Sequence, residues 1–389
     1  MLRVGVGHSD DIDVVDAIRE ALAQCEQQLA GARPKVALVF AGSELEHQVI
    51  LDEVHTRHPG LPLIGGTSVG ELSSLSPHRD DSVVLVMLAS DVMEFGVGLG
   101  RGATRAPGEA ARAAVEMARR GMTTEPRLCI AVPEAVQANP SEQIEGLKAA
   151  LGADFPVFGG AAATTLARTT PARHFFGDEV LEDALTVLLV GGEVRFSHGM
   201  ACGWTPIGAR HKLTRAEGNV VFEIDGQPAS ELYTSYVGRA GDELGVLFNY
   251  HPLAIFEDGA DRFYLRAPFA RGEVPGSIIC AGAVPQGATV QLTEYQRSTV
   301  VEAAADSARQ AVSAYGPGTP SFALIFNCAL RKSTLGSWTE KEYQTLRAEL
   351  PPDVPMLGYY SYGECAPLGA GSEVRIYNGT FVTLLLGSP

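Results

Sequence analysis

Two short strings near opposite ends of this 389-residue sequence place a hydroxyl and a carboxylate at matched spacing. Residues 62–71 and 355–364 both read P-x-x-G-x-x-S-x-G-E, which pairs Ser68 with Glu71 and Ser361 with Glu364. A glutamate just after a glycine corner can accept hydrogen bonds from a ligand amine or from backbone N–H groups, and the same geometry can serve a local turn. A middle copy beginning at Pro156 keeps P-x-x-G but has Thr164 and Thr165 where the others have Gly and Glu. Because one copy does without the pair, architecture alone does not demand it, and Ser68, Glu71, Ser361 and Glu364 stand as candidate ligand contacts.

A second group follows residues 321–326, a run with the apolar character of a buried strand. There Cys328 is followed by Arg331. Ligands of open α/β sheets collect at the carboxyl ends of strands. Arg331 can take a carboxylate by its two-pronged fork, or it can depress the Cys328 pKa and make the thiol nucleophilic. A buried cysteine beside a solvated arginine is the third reading. His211 and His251 are distant in sequence, so the signal for a Cys–His pair is weak, and Cys328 is the alternative catalytic residue in a sequence that otherwise shows no catalytic set. Tyr359, Tyr360 and Tyr362 replace Gly66, Thr67 and Val69 of the first copy. Strand alternation puts Tyr360 and Tyr362 on one face, where each offers a flat wall and a phenol. The run Gly96 to Gly100 is G-x-G-x-G, not the dinucleotide fingerprint, and no P-loop, H-E-x-x-H or G-x-S-x-G occurs.

The elements that must position these residues repeat. Strand-like residues 4–7, a helix over 13–29 with Ile18, Leu22, Cys25 and Leu29 on one face, a strand over 35–40, a helix over 44–56, the Pro62 corner and a strand over 82–88 make one β-α-β-α-β-β module. It recurs with strands at 94–100, 127–132 and 184–190, and helices at 107–120 and 141–151. A third copy is expected from residue 276, with strands at 277–282, 321–326 and 379–386, and helices at 294–314 and 339–350. Repetition at a period near 90 residues is stronger evidence than any single motif. Residues 193–275 do not repeat; they predict a small α+β insertion, including a hairpin that turns at 258–261. The fold class is therefore α/β (mixed α+β), divided into residues 1–192 (modules 1–92 and 93–192) and 193–389.

Composition limits the function. Hydrophobic content of 46% and charged content of 20% are ordinary for a globular protein. A formal charge of -16 with dispersed acidic residues argues against nucleic acid and anionic membranes. No apolar run reaches a membrane span, and no signal-peptide pattern opens the sequence. The six cysteines form no C-x-x-C pair and read as reduced thiols, so neither a metal site nor a cofactor is expected.

Gly-Gly-Thr-Ser-Val-Gly-Glu at 65–71 resembles the signature of the FIST N domain. Gly203, Trp204, Pro206 and Gly208, then Gly218-Asn219, Asp225-Gly226 and Pro228-Ala229, resemble the start of the FIST C domain. Cys328 with Arg331, Tyr360 to Glu364 and Asn378 to Thr380 resemble its end. The resemblance covers nearly the whole chain. It implies a cytoplasmic sensory module that binds a small polar ligand such as an amino acid. It implies Glu71, Cys328, Arg331, Tyr360, Ser361 and Glu364 as contacts. With the last strand followed at once by Pro389, output is expected through a separate protein of the histidine kinase, diguanylate cyclase or chemotaxis receptor type. The alternatives are a thiol enzyme acting on an acyl or electrophilic substrate through Cys328, and a structural adaptor.

Overall fold

The computed structural model describes residues 1–165, 170–237, 248, 250–257, 262–369 and 372–389. The first module runs β1 (Arg3–Ser9), α1 (Val14–Leu29), β2 (Val36–Gly42), α2 (His47–Arg57), β3 (Leu63–Ser68), β4 (Glu71–Ser73) and β5 (Val83–Ala89). The second runs β6 (Met93–Arg101), α3 (Pro107–Arg120), β7 (Pro126–Val132), α4 (Pro140–Leu151), β8 (Val157–Gly160), β9 (His174–Phe176), β10 (Glu179–Leu181) and β11 (Ala184–Gly192).

The third module opens with β12 (Arg195–Ala201) and is then interrupted. The interruption holds β13 (Trp204–Glu217), β14 (Val220–Ile224), β15 (Gln227–Pro228), α5 (Ser230–Val237), β16 (Leu253–Phe256), β17 (Tyr264–Arg266), β18 (Pro268–Arg271), β19 (Ile278–Cys280) and β20 (Thr289–Tyr295). The module resumes with α6 (Arg297–Tyr315), β21 (Phe322–Cys328), α7 (Ala329–Leu335), α8 (Thr339–Glu349), β22 (Met356–Ser361), β23 (Glu364–Pro367), β24 (Val374–Tyr377) and β25 (Phe381–Gly387).

This corrects the expected start of the third copy. Residues 278–280 belong to the interrupting sheet, and β12 is the first strand, pairing antiparallel with β25 as β1 pairs with β5 and β6 with β11. The interruption therefore lies inside the module, between its first strand and first helix. A shared glycine marks the true first strand. A Cβ at Gly7, Gly98 or Gly199 would stand 1.9, 1.8 and 2.0 Å from the carbonyl oxygens of Ala21, Ala114 and Ser307 on the helix that follows. The V-G-V-G and G-V-G-L-G strings thus let a helix backbone lie directly on a strand.

Each middle strand alternates between two cores. Val36, Leu38 and Phe40, then Leu128, Ile130 and Val132, then Phe322, Leu324 and Phe326 all face one central cluster. Their neighbours Ala37 and Val39, Cys129 and Ala131, and Ala323 and Ile325 face the outer helices instead. Burial on both faces accounts for the near-continuous apolar runs. The modules also exchange strands in a closed cycle. β4 of the first pairs with β22 of the third, β23 of the third with β8 of the second, and β9 of the second with β3 of the first.

The interrupting sheet has the order β17-β16-β20-β13-β14-β19-β18. Its two edge strands are consecutive in the chain, separated by Ala267, so the sheet curls back on itself around Tyr233, Phe248 and Ile255. β16 and β17 pair antiparallel as the expected hairpin requires; the turn at 258–261 lies outside the described residues. Among the described residues no helix is long and apolar enough to cross a membrane.

A core shared by three sheets should unfold as one unit. Leu38→Ala or Leu324→Ala is expected to cost roughly 2–5 kcal/mol in urea denaturation while leaving a single transition. Two resolved transitions would show that the modules fold independently.

Candidate ligand site

The two S-x-G-E corners fold alike. Gly70 and Gly363 hold φ of 134° and 130°, a region that disfavours any side chain, and release the chain from its own sheet. The following glutamate enters the neighbouring module's sheet wholly buried. Glu71 accepts from the Ser68 hydroxyl and, at 2.5 Å, from Ser82 Oγ. Glu364 accepts from Ser361 Oγ at 2.7 Å and from Thr380 Oγ1 at 2.6 Å. Ser82 and Thr380 each stand just before the last strand of their module. That recurrence could have been found by aligning the copies.

Among the described residues, neither glutamate has a cation as a hydrogen-bond partner. Burial pushes both carboxyls up to about 7, against the hydroxyl hydrogen bonds that favour the charge. Beyond Ser82 lies His8, with Nε2 3.0 Å from Ser82 Oγ and Nδ1 3.0 Å from Ser73 Oγ. Burial lowers the His8 pKa to about 4, so the imidazole is neutral.

The middle copy fills the same place with another residue. Glu71 pairs across to Tyr359, Glu364 to Gly160, and His174 to Gly66, and these partners occupy equivalent positions in β22, β8 and β3. His174, not Thr164 or Thr165, is therefore the counterpart of the two glutamates. A longer corner delivers it, which is why in-register comparison missed it. Its Nε2 lies 3.2 Å from Glu134 Oε2, and both side chains are fully buried. Burial opposes ionisation of Glu134, but His174 and the N–H groups of Val136 and Gln137 outweigh it and hold the carboxyl low.

The expected site residues divide into separate places. Cys328 lies near Glu364, the carboxylate that accepts from Ser361 and Thr380. Burial pushes the Cys328 thiol far up, and the smaller effect of Arg331 does not reverse it. Arg331 is fully buried, and all five of its N–H groups are used. Nε and Nη2 reach Glu342 Oε1 at 3.1 and 2.6 Å, Nη2 also reaches Val300 O at 2.6 Å, and Nη1 reaches Cys202 O at 2.7 Å and Gly379 O at 3.5 Å. Nothing remains for a ligand carboxylate. Tyr360 donates to the same Glu342 at 2.8 Å, whereas Tyr362 donates to the Thr164 and Thr165 carbonyls at 2.8 and 2.5 Å. Ser68 and Glu71 stand in the other corner.

Space for a ligand lies elsewhere. A cleft of about 690 Å³ opens between α4, the curled sheet and β24. Ser141, Glu257, Tyr264, Arg266 and Arg375 contribute to its lining. Arg375 pairs with Glu257, which also accepts from Tyr264 Oη at 3.0 Å. Sequence reading missed this group because its members come from four separated segments with no motif in common.

The corners yield two expected outcomes. The folded pKa values near 7 lie above the roughly 4.3 of an unfolded glutamate. The stabilisation is therefore complete below that value and disappears as pH climbs through 7, by roughly 4 kcal/mol per glutamate. Denaturation between pH 5 and 8 should show stability falling, and E71Q or E364Q should flatten the slope; an unchanged slope contradicts the assignment. Iodoacetamide should label Cys328 in the folded protein more slowly than the half-buried Cys202, and fast labelling at neutral pH would restore a nucleophilic role.

Comparison with known proteins agrees with the family resemblance read from the sequence. The FIST N domain model matches residues 35–227 and the FIST C domain model residues 229–367. The uncharacterized protein Rv0628c of Mycobacterium tuberculosis is 26% identical, covering 96% of this chain and 97% of its own length. The uncharacterized protein Mb0898c of Mycobacterium bovis is 24% identical, with 96% of each chain covered. Among solved structures, a chorismatase has a TM-score of 0.39 at 9% identity, covering 99% of this chain and 98% of its own. A cyanuric acid hydrolase from A. caulinodans has a TM-score of 0.37 at 9% identity, covering 100% and 99%. Neither structural likeness is high enough to carry an activity. With both domain models matched in order across most of its length, the chain belongs to the FIST family.

Proposed function

We propose that this chain is a sensory input module that binds a small polar metabolite, of the amino-acid class, in the cleft beside α4 and signals through a separate protein. The reading draws on family membership, and the cleft is the observation that carries it. At about 690 Å³ it falls within the size range of metabolite pockets. Its walls come from both family domains: α4 lies in the FIST N match, and Glu257 and Tyr264 in the FIST C match. A ligand held there touches two parts of the fold at once, which is what a sensor needs if occupancy is to alter a surface read by a partner.

The lining suits a molecule with charges of both signs. Glu257 accepts an ammonium group, the arginines face a carboxylate, and the Tyr264 ring covers an apolar portion. A cytoplasmic histidine kinase, diguanylate cyclase or chemotaxis receptor is the kind of partner this reading calls for. Cys328 is not assigned a catalytic role, because its thiol is buried and held protonated.

Isothermal titration against amino acids and organic acids tests the proposal. At least one should bind at millimolar affinity or better, and E257Q should weaken that ligand about tenfold, the scale of one charged hydrogen bond. A panel without any binder contradicts the reading.

A further inference from the structure

Arg266 is a buried cation with no anion. It is 3% exposed. Nε donates to Ala283 O at 2.8 Å, and Nη1 donates to Leu265 O at 3.1 Å and Ile376 O at 2.9 Å. Its guanidinium carbon lies 4.6 Å from the centre of the Tyr264 ring. Among the described residues no carboxylate lies within ion-pair distance of it, and Nη2 donates to no protein acceptor. Arg331, also deeply buried, is matched by Glu342 at 2.6 Å. Arg375, which lines the same cleft, is matched by Glu257. Burying an ion without a counter-ion costs several kcal/mol, and proteins normally avoid it. Here desolvation pulls the Arg266 pKa down; Glu257 is near enough to feel its charge but is ion-paired with Arg375 and not with Arg266.

Three backbone carbonyls fix the guanidinium plane, so its remaining edge is pre-oriented. Arg266 lines the cleft. We propose that Arg266 anchors an anion subsite there, taking through Nη2 the carboxylate of a small monocarboxylic metabolite. The proposal rests on the reading of the cleft as the ligand site.

The surrounding charges set the class. Glu142, Glu145, Glu257 and Glu373 line the same cleft. Lys148 holds Glu145 and Glu373 at 2.9 Å each, and Arg375 holds Glu257. Four glutamates thus face three cations, Lys148, Arg375 and Arg266, and Arg266 is the cation among them without an ion-paired carboxylate. One carboxylate neutralises it. A phosphate dianion brings a surplus negative charge against the glutamates, whereas a cationic group on the same molecule is attracted by them.

Crystals of the full chain soaked separately in acetate, inorganic phosphate and acetamide at equal concentration test the subsite. Acetate should occupy the cleft within hydrogen-bond distance of Arg266 Nη2, and phosphate and acetamide should not. R266Q, checked for a native circular dichroism spectrum, should lose the acetate; if it does not fold, the three-probe comparison on the wild-type protein decides alone. An empty cleft in saturating acetate, equal occupancy by acetamide, or preference for phosphate overturns the proposal. For any amino acid that binds in solution, amidating its carboxyl should weaken binding at least tenfold, and equal binding of the amide overturns the subsite while sparing the sensory reading. Acetate on Nη2 together with a blank amino-acid panel has the reverse meaning: the subsite stands and the sensory reading falls.

Discussion

Each module sends a strand out of its own sheet onto the edge of the next, and the molecule depends on that cyclic exchange. The glycines at 70 and 363 turn the chain out of its sheet, and the residue that follows, Glu71 or Glu364, enters the neighbouring ladder. In the middle module a longer corner does the same with His174. Backbone hydrogen bonds close the ring: Val69 N to Tyr360 O, Ala161 N to Gly363 O, and Ala163 N to Thr67 O. Tyr359 ties the centre together. It stacks on Phe40 of the first module at 3.7 Å and donates to Gly160 O of the second at 2.8 Å. An unpaired strand edge is a hazard, and here the edges beside β3, β8 and β22 are capped by strands from within the same chain.

Among the described residues, the buried glutamates and arginines discussed above follow one electrostatic rule, and Arg266 departs from it. Taking a charge out of water is tolerated when a partner of opposite sign or a proton neutralises it. Arg331 has Glu342, and the Glu134 carboxylate is held by hydrogen bonds from His174 and from the Val136 and Gln137 N–H groups. Glu71 and Glu364 have hydroxyls and retain their protons up to about neutral pH. These groups are satisfied within the protein and hold the modules in register. Arg266 is the group left over, and it is the one that lines a cleft. The contrast supports placing the proposed ligand site not at the repeated corners, where sequence first directed attention, but where the third module's interruption meets α4.

Much of the architecture was legible because it is written in period and repetition. The middle strands could be placed from runs such as Phe322 to Phe326, and the first helix from Ile18, Leu22, Cys25 and Leu29, since burial leaves a pattern along the chain. The start of the third module was not legible. β12 carries Arg195, Ser197 and His198 and reads as polar, while Ile278 to Cys280 reads as the better strand; pairing with β25, not composition, decides between them. At the site, the kinship of Ser68 with Glu71 and of Ser361 with Glu364 could be read from spacing. Arg331 and Arg266 look alike as letters. Their difference is whether a carboxylate such as Glu342 folds against them, and that is a tertiary fact.

Hydrogen exchange on the full chain, with and without a saturating amino acid drawn from the binding panel, tests the central claim that ligand enters the cleft and not the corners. The account predicts slowed exchange in α4 and in β17 and β24, with the corner peptide spanning residues 359–364 unchanged. Protection of the corner peptide with no change at α4 would contradict it.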